Sequence, residues 1–322
     1  MNGSESRRWV AVNISSLLDK LDFINFRKAL RKSRYFLHAR RYRKLLQKNR
    51  ALENLHSGKK FLIMGTGVSL LEFDFTKPGN CITFACNEIF QHSDADGFDL
   101  DYYVVGEPYY GKMLGKAYRE DVFKFYREVE EFFSGKNTSH IYHATLSGFF
   151  DETGILKESE FFFYVSRSRI LEASEQKHDL SAPITFTDGA IYVMLASAMF
   201  MGAREIYLLG CGYTYSPLQL LHFYDAEFQQ DELAQADQAE FLGKLENKYP
   251  DYFVRQYVRK KGRQYYNILK QPEEQSYQRY SIIKKYAEGL GIKIINVVPD
   301  DFASPVFDSL TYSEFRNVSA AW

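Results

Sequence analysis

The sequence predicts an α/β fold, a parallel sheet flanked by helices, and three observations carry that expectation. Short apolar runs recur, each closed by Gly, Asn or Pro. Helical stretches lie between them, the pattern of β-α-β units. Residues 189–201 are almost wholly apolar, the composition of a helix with no solvent face, and Gly202 follows as a C-cap.

The first strand is Lys60-Phe61-Leu62-Ile63-Met64, which ends at Gly65-Thr66-Gly67-Val68-Ser69 and a short helical turn through Glu72. The second, Cys81-Ile82-Thr83-Phe84-Ala85-Cys86, ends at Asn87. The third, 101–105, ends at Gly106-Glu107-Pro108. Residues 116–133 read as a helix and 161–165 as a strand, within a mixed stretch from 115 to 180. Another buried strand, 205–209, ends at Gly210-Cys211-Gly212. Residues 227–286 are polar, charged and helical, and the last strand is Lys293-Ile294-Ile295-Asn296-Val297-Val298. No internal repeat or low-complexity tract interrupts this order.

Hydrophobic residues make up 45% of the 322-residue chain, enough to bury a sizeable core. With 24 Tyr and 27 Phe, the aromatic excess suits core strands, and also surfaces that stack on sugars or bases. Three irregularly spaced cysteines, Cys81, Cys86 and Cys211, argue against a disulfide framework and a zinc site, and for reduced, cytosolic surroundings. No stretch is apolar enough for a membrane span, and no signal peptide is expected.

The net charge is zero but unevenly spread. Residues 7–60 carry 16 Lys or Arg against Asp19, Asp22 and Glu53, a surplus of 13. Leu and Phe at helical spacing interleave these cations, as on a helix lying on an anionic membrane surface. A solvated face packed on the body would carry the same pattern, and a nucleic acid would attract the same charge, although no nucleic-acid partner is expected. The expected division is therefore a basic amphipathic extension over 1–57 and a nucleotide-sugar-binding domain over 58–322. Residues 10–50 would engage the membrane, and about 213–280 would form a helical lid.

Ligands of open parallel sheets bind where strands end. The candidate positions are thus 65–69, Asn87, Glu107, 210–215 and 296–300. The glycine turn after the first strand would let a phosphate approach the backbone, yet it lacks the third glycine of a dinucleotide fingerprint and the lysine of a P-loop. A tight structural turn is the competing reading. His222, in Leu221-His222-Phe223-Tyr224-Asp225, could act as a general base near neutral pH. Tyr213, Tyr215 and Tyr224 could offer hydroxyls to a phosphate. Asp99-Leu100-Asp101 has the spacing of a metal-binding acidic pair but stands at the start of its strand, the wrong end. No Gly-x-Ser-x-Gly elbow supports Ser-His-Asp hydrolysis.

Four blocks together resemble the bacterial sialyltransferases of glycosyltransferase family 42, and the related pterin-diphosphokinase-like domains of motility accessory factors. The blocks are Gly65-Thr66-Gly67-Val68-Ser69-Leu70, Phe84-Ala85-Cys86-Asn87, Thr187-Asp188-Gly189 with the apolar helix and Gly202-Ala203-Arg204-Glu205-Ile206-Tyr207-Leu208-Leu209-Gly210, and His222-Phe223-Tyr224. The resemblance implies a Rossmann-like fold of the GT-A-variant type. It places Thr66, Gly67, Ser69, Asn87, Glu107, Thr187, Asp188 and Gly189 around a CMP-sugar donor. Tyr213, Tyr215 and Tyr224 would serve the leaving phosphate, and His222 would be the base. It implies transfer of a sialic acid-like sugar to a surface glycan or lipid-linked acceptor, with no metal and no cofactor beyond the donor; the basic arm, outside the matched blocks, adds the expectation of a cytoplasmic protein peripheral on the inner face of the membrane. Homo-oligomerisation is compatible with it. Thr66 stands where the family usually has Asn, Val68 where it has Pro, and Gly212 where Asp is common. Two alternatives share the glycine turn: a diphosphate transfer using ATP and Mg²⁺, with Glu107 and Asp300-Asp301 as metal ligands, and a non-catalytic nucleotide-sugar-binding protein.

Overall fold

The computed structural model describes residues 40–73, 80–92, 94–95, 98–106, 119–166, 173–186, 189–211, 274–299 and 304–319. Eight strands form one parallel sheet: β1 (Lys60–Met64), β2 (Cys81–Cys86), β3 (Tyr102–Val104), β4 (Ser139–His143), β5 (Phe161–Tyr164), β6 (Glu205–Leu209), β7 (Lys293–Val298) and β8 (Asp308–Thr311). Their order is β5-β4-β3-β2-β1-β6-β7-β8. From β1 the chain steps outward to one edge, returns to the other side of β1, and steps outward again. β1 and β6 are therefore the central pair, in register from Lys60 opposite Glu205 to Met64 opposite Leu209. This is a Rossmann-like α/β architecture.

The strands are continuous apolar runs because both faces are covered. On one face lies the apolar helix α4 (Ala190–Phe200), nine of whose residues are buried. It packs across β1, β2 and β3. Its one buried hydroxyl, on Ser197, donates to the Val193 carbonyl at 2.8 Å, which removes the cost of burying it. Helix α5 (Glu274–Gly289) packs on β7 and sends Tyr280, Ile283 and Ala287 into the same core. On the opposite face, α2 (Arg119–Phe133) buries Val122, Tyr126, Val129 and Phe133, a stripe spaced four, three and four residues apart. Tyr126 meets Tyr142 of β4 and Phe150 of the short helix α3 (Ser147–Thr153) edge to face. Helix α6 (Tyr312–Ser319) sets Phe315 against Tyr207 of β6.

Strands β1, β2, β6 and β7 match the expected ranges residue for residue, and the described part of the expected helix 116–133 is α2. β4 and β8 were not expected. The two histidines of β4 are buried among aromatic rings, and β8 is a half-exposed edge strand, so neither shows the apolar run that marks its neighbours.

The chain divides into a compact unit over 45–322 and a first unit over 1–44, described only from 40. The larger unit thus begins ahead of the boundary expected at 57/58. The reason is packing: within the short helix α1 (Arg43–Lys48) and the turn that follows it, Leu46, Asn49 and Leu52 are each about 1% exposed. Among the described residues, no helix is long and apolar enough to cross a membrane.

Candidate functional site

The carboxyl edge of the sheet is assembled from strand ends that hold one another. After β1, the Gly65 N–H donates to the Leu209 carbonyl and the Gly67 N–H to the Gly210 carbonyl, both at 2.8 Å. The turn is thereby stitched to the end of β6. Gly210 has φ +65, a left-handed conformation, and a Cβ there would meet Leu70 at 2.6 Å. A Cβ on Gly65 would lie 2.5 Å from the Gly210 oxygen. These two glycines make room within the protein, Gly65 for the Gly210 backbone and Gly210 for the Leu70 side chain. Thr66 and Ser69 are buried beside them. The Ser69 carbonyl accepts from the Tyr312 hydroxyl at 2.7 Å, while Ser69 Oγ has no partner among the described residues.

At the end of β2, Asn87 adopts φ +51, which Asn tolerates better than most residues. Its Oδ1 accepts from the Gly106 N–H at 3.4 Å, and its carbonyl accepts from the Tyr103 hydroxyl at 2.6 Å. Asn87 therefore ties β2 to the end of β3. Gly106 in turn stands so close to α4 that a Cβ would fall 2.0 Å from the Ala190 nitrogen. Only glycine allows that approach. Gly189 is the N-cap of α4, in extended backbone, with no side-chain cap. Thr66, Gly67, Ser69, Asn87 and Gly189 are thus on one edge, at the point where the strand order divides, where open sheets bind ligands. Glu107, Thr187, Asp188, Tyr213, Tyr215, His222 and Tyr224, and the lid from 213 to 273, lie outside the described residues.

Other groups define what this edge can do. Cys86 and Cys211 are buried at the ends of β2 and β6. Burial pushes the Cys211 thiol up to about 12, and burial together with the neighbouring Cys211 raises Cys86 well above the usual thiol range. Both stay protonated near neutral pH, so neither is a ready nucleophile. Their inertness fits a structural role.

Asp101 is at the opposite edge, as its place before β3 required. Its Oδ2 accepts from the Thr83 N–H at 2.8 Å and the Thr83 hydroxyl at 2.7 Å, and its own N–H donates to Thr83 Oγ1. Asp101 and Thr83 thus form a hydrogen-bonded clasp between β2 and β3. Among the described residues, no group of three His, Cys, Asp or Glu is placed to hold a metal ion.

Sequence reading did not single out His143. It is the last residue of β4, buried, with its Nδ1 accepting from the Thr145 N–H at 3.4 Å. The same Nδ1 lies 2.8 Å from the Thr145 hydroxyl. Recognising Ser139–His143 as a strand would have placed this histidine on the carboxyl edge. No family model, curated protein or solved structure matches the chain. What the edge can do follows from its own residues: backbone and small polar groups suited to an uncharged or anionic ligand surface, framed by inert thiols.

Proposed function

We propose that the chain is a glycosyltransferase that takes an acidic, sialic acid-like sugar from a CMP-activated donor and passes it to a surface glycan or lipid-linked acceptor. One observation carries the reading most: Thr66, Ser69, Asn87 and the uncapped start of α4 converge where the strand order divides. The start of a helix favours a phosphate. The ordered resemblance of four sequence blocks to family 42 supplies the donor class.

In this reading Thr66, Gly67, Ser69, Asn87, Glu107, Thr187, Asp188 and Gly189 hold the CMP portion. His222 removes the proton from the acceptor hydroxyl as that oxygen bonds to the sugar. The bond from the sugar to the CMP phosphate breaks, and Tyr213, Tyr215 and Tyr224 donate to the departing phosphate. Residues 213–273, ahead of α5, close over the activated sugar and exclude water. The basic residues of 10–50 hold the protein on the inner face of an anionic membrane, where lipid-linked acceptors reside.

Calorimetric titration with CMP, UMP and AMP tests the donor class. CMP is expected to bind tightest. Ser69→Ala is expected to weaken CMP by roughly threefold to tenfold, the worth of one hydrogen bond. Tighter binding of AMP or UMP overturns the reading, and AMP binding that needs Mg²⁺ would favour diphosphate transfer instead.

A further inference from the structure

A small pocket opens between α4 and α5, walled by Gln176, Thr185, Phe186, Tyr192 and Ile283, with Arg279 of α5 inside it. The Arg279 Nε is shielded from solvent and has no hydrogen-bond partner among the described residues. The polar wall does not supply one. The Thr185 hydroxyl donates to Gln176 Oε1 at 3.1 Å and accepts from the Lys177 N–H at 2.6 Å, so these acceptors are already engaged. The remaining wall is apolar and fixed: Tyr192 stacks on Tyr280 with ring centres 5.0 Å apart.

A guanidinium N–H held out of water without an acceptor is costly, more so than a neutral donor. Arginine presents its Nε–H and an Nη–H along one planar edge, which matches two oxygens of a carboxylate or phosphate. The pocket has room for a water-sized group, which suits the tip of such an anion and excludes a whole ring. Its place is also informative. Tyr192 lies against Gly189, the N-cap of α4, and the next residue, Ala190, is the one that Gly106 at the end of β3 approaches. The pocket therefore adjoins the carboxyl edge of the sheet.

We propose that the Arg279 pocket is a subsite for an oxyanion, the terminal oxygens of a carboxylate or a phosphate on a ligand bound along that edge. The inference rests on the pocket itself and is independent of the donor class proposed above.

The test is calorimetry on the full chain at low ionic strength, with inorganic phosphate in one arm and glucuronate in the other, for the wild type, Arg279→Gln and Arg279→Lys. Melting temperatures without ligand accompany each protein. The wild type is expected to bind at least one anion saturably, and the arm that responds identifies its source. Arg279→Gln is expected to lose on the order of tenfold in affinity, the scale of a charge-assisted pair, and Arg279→Lys to fall between. The ligand-free melting temperature of Arg279→Gln should be unchanged or higher, because an unpaired cation is removed. Should Arg279→Gln fail to fold, Arg279→Lys, which keeps the charge but loses the fork, supplies the comparison. Three results overturn the proposal: no saturable binding of either anion, as when an ordered water alone fills the pocket; equal affinity in wild type and variant; or a lowered melting temperature with binding unchanged. Anion binding through Arg279 without any CMP binding would sink the donor reading and leave this subsite standing.

Discussion

His140 shows how a single side chain links this fold to pH. It sits in β4 among Tyr103, Phe133, Tyr142 and Phe161, its Nδ1 paired with the Tyr142 hydroxyl at 2.8 Å. Burial lowers its pKa from 6.5 to about 3, so the folded protein holds the ring neutral at all but strongly acid pH. The unfolded chain takes up that proton near pH 6.5. Between 6.5 and 3 the unfolded state therefore binds more protons, and stability falls as pH falls through that window. The limiting slope is about 1.4 kcal/mol per pH unit for one such group. Burial lowers His56 and His178 in the same direction. Urea unfolding at pH 7 and pH 5 should show a loss of stability in the wild type that is smaller in His140→Phe; equal losses would refute the assignment. The residue scale is also where sequence reading reached least far. Gly65 and Gly106 stand in turns that look built for a ligand, yet their missing Cβ atoms make room for Gly210 and Ala190. Arg279 is one cation on a charged helix, and nothing in the order of residues marks it as the one left without an acceptor.

Among the elements, β5 poses the problem of an edge. An edge strand exposes a row of backbone donors and acceptors to other chains. Here Asn49 closes part of that row: its Nδ2 donates to the Phe163 carbonyl at 2.5 Å and the Leu180 carbonyl at 2.7 Å, and its Oδ1 accepts from the Phe163 N–H at 3.4 Å. One buried side chain from just after α1 thus replaces a neighbouring strand over one residue. Asn49→Ala leaves these buried groups unpaired and is expected to cost about 2–3 kcal/mol, read as a lower urea midpoint with an unchanged slope. A loss below about 0.5 kcal/mol would mean that water reaches these groups. Charge alone assigns residues 45–57 to the basic extension, whereas packing assigns them to the body. The cations of the wider 7–60 stretch set its character, while the three residues that bind 45–57 to the body, Leu46, Asn49 and Leu52, form a short stripe with a polar residue at its centre. By contrast, β1, β2, β6 and β7 were legible because each is an unbroken buried run stopped by Gly, Asn or Pro. β4 was not, because its histidines are accommodated by partners that only the fold brings near.

At the scale of the whole molecule, the surplus of 13 positive charges over residues 7–60 faces a remainder that must carry the balancing negative charge. If the arm holds the protein to a membrane, the full chain should co-sediment with vesicles containing anionic lipid, and a chain beginning at Leu45 should do so far less. That starting point keeps Leu46, Asn49 and Leu52 in the core. Attachment should weaken in salt, as the screening length falls from about 8 Å at 0.15 M to about 3 Å at 1 M. Equal sedimentation of both chains, or none at low salt, would remove the membrane from the account. The strand order carries a different consequence, one of time. β1 pairs on one side with β2, soon after it in the chain, and on the other with β6, whose last residue is Leu209. During synthesis the first five strands can assemble as they emerge, but β1 keeps one edge open until β6 leaves the ribosome. The crevice where the strand order divides does not exist before then. The growing chain carries an apolar strand with one edge unpaired while nearly half of its length is made, from Met64 to Leu209 of 322 residues, and that interval is when chaperones or unwanted partners would find it.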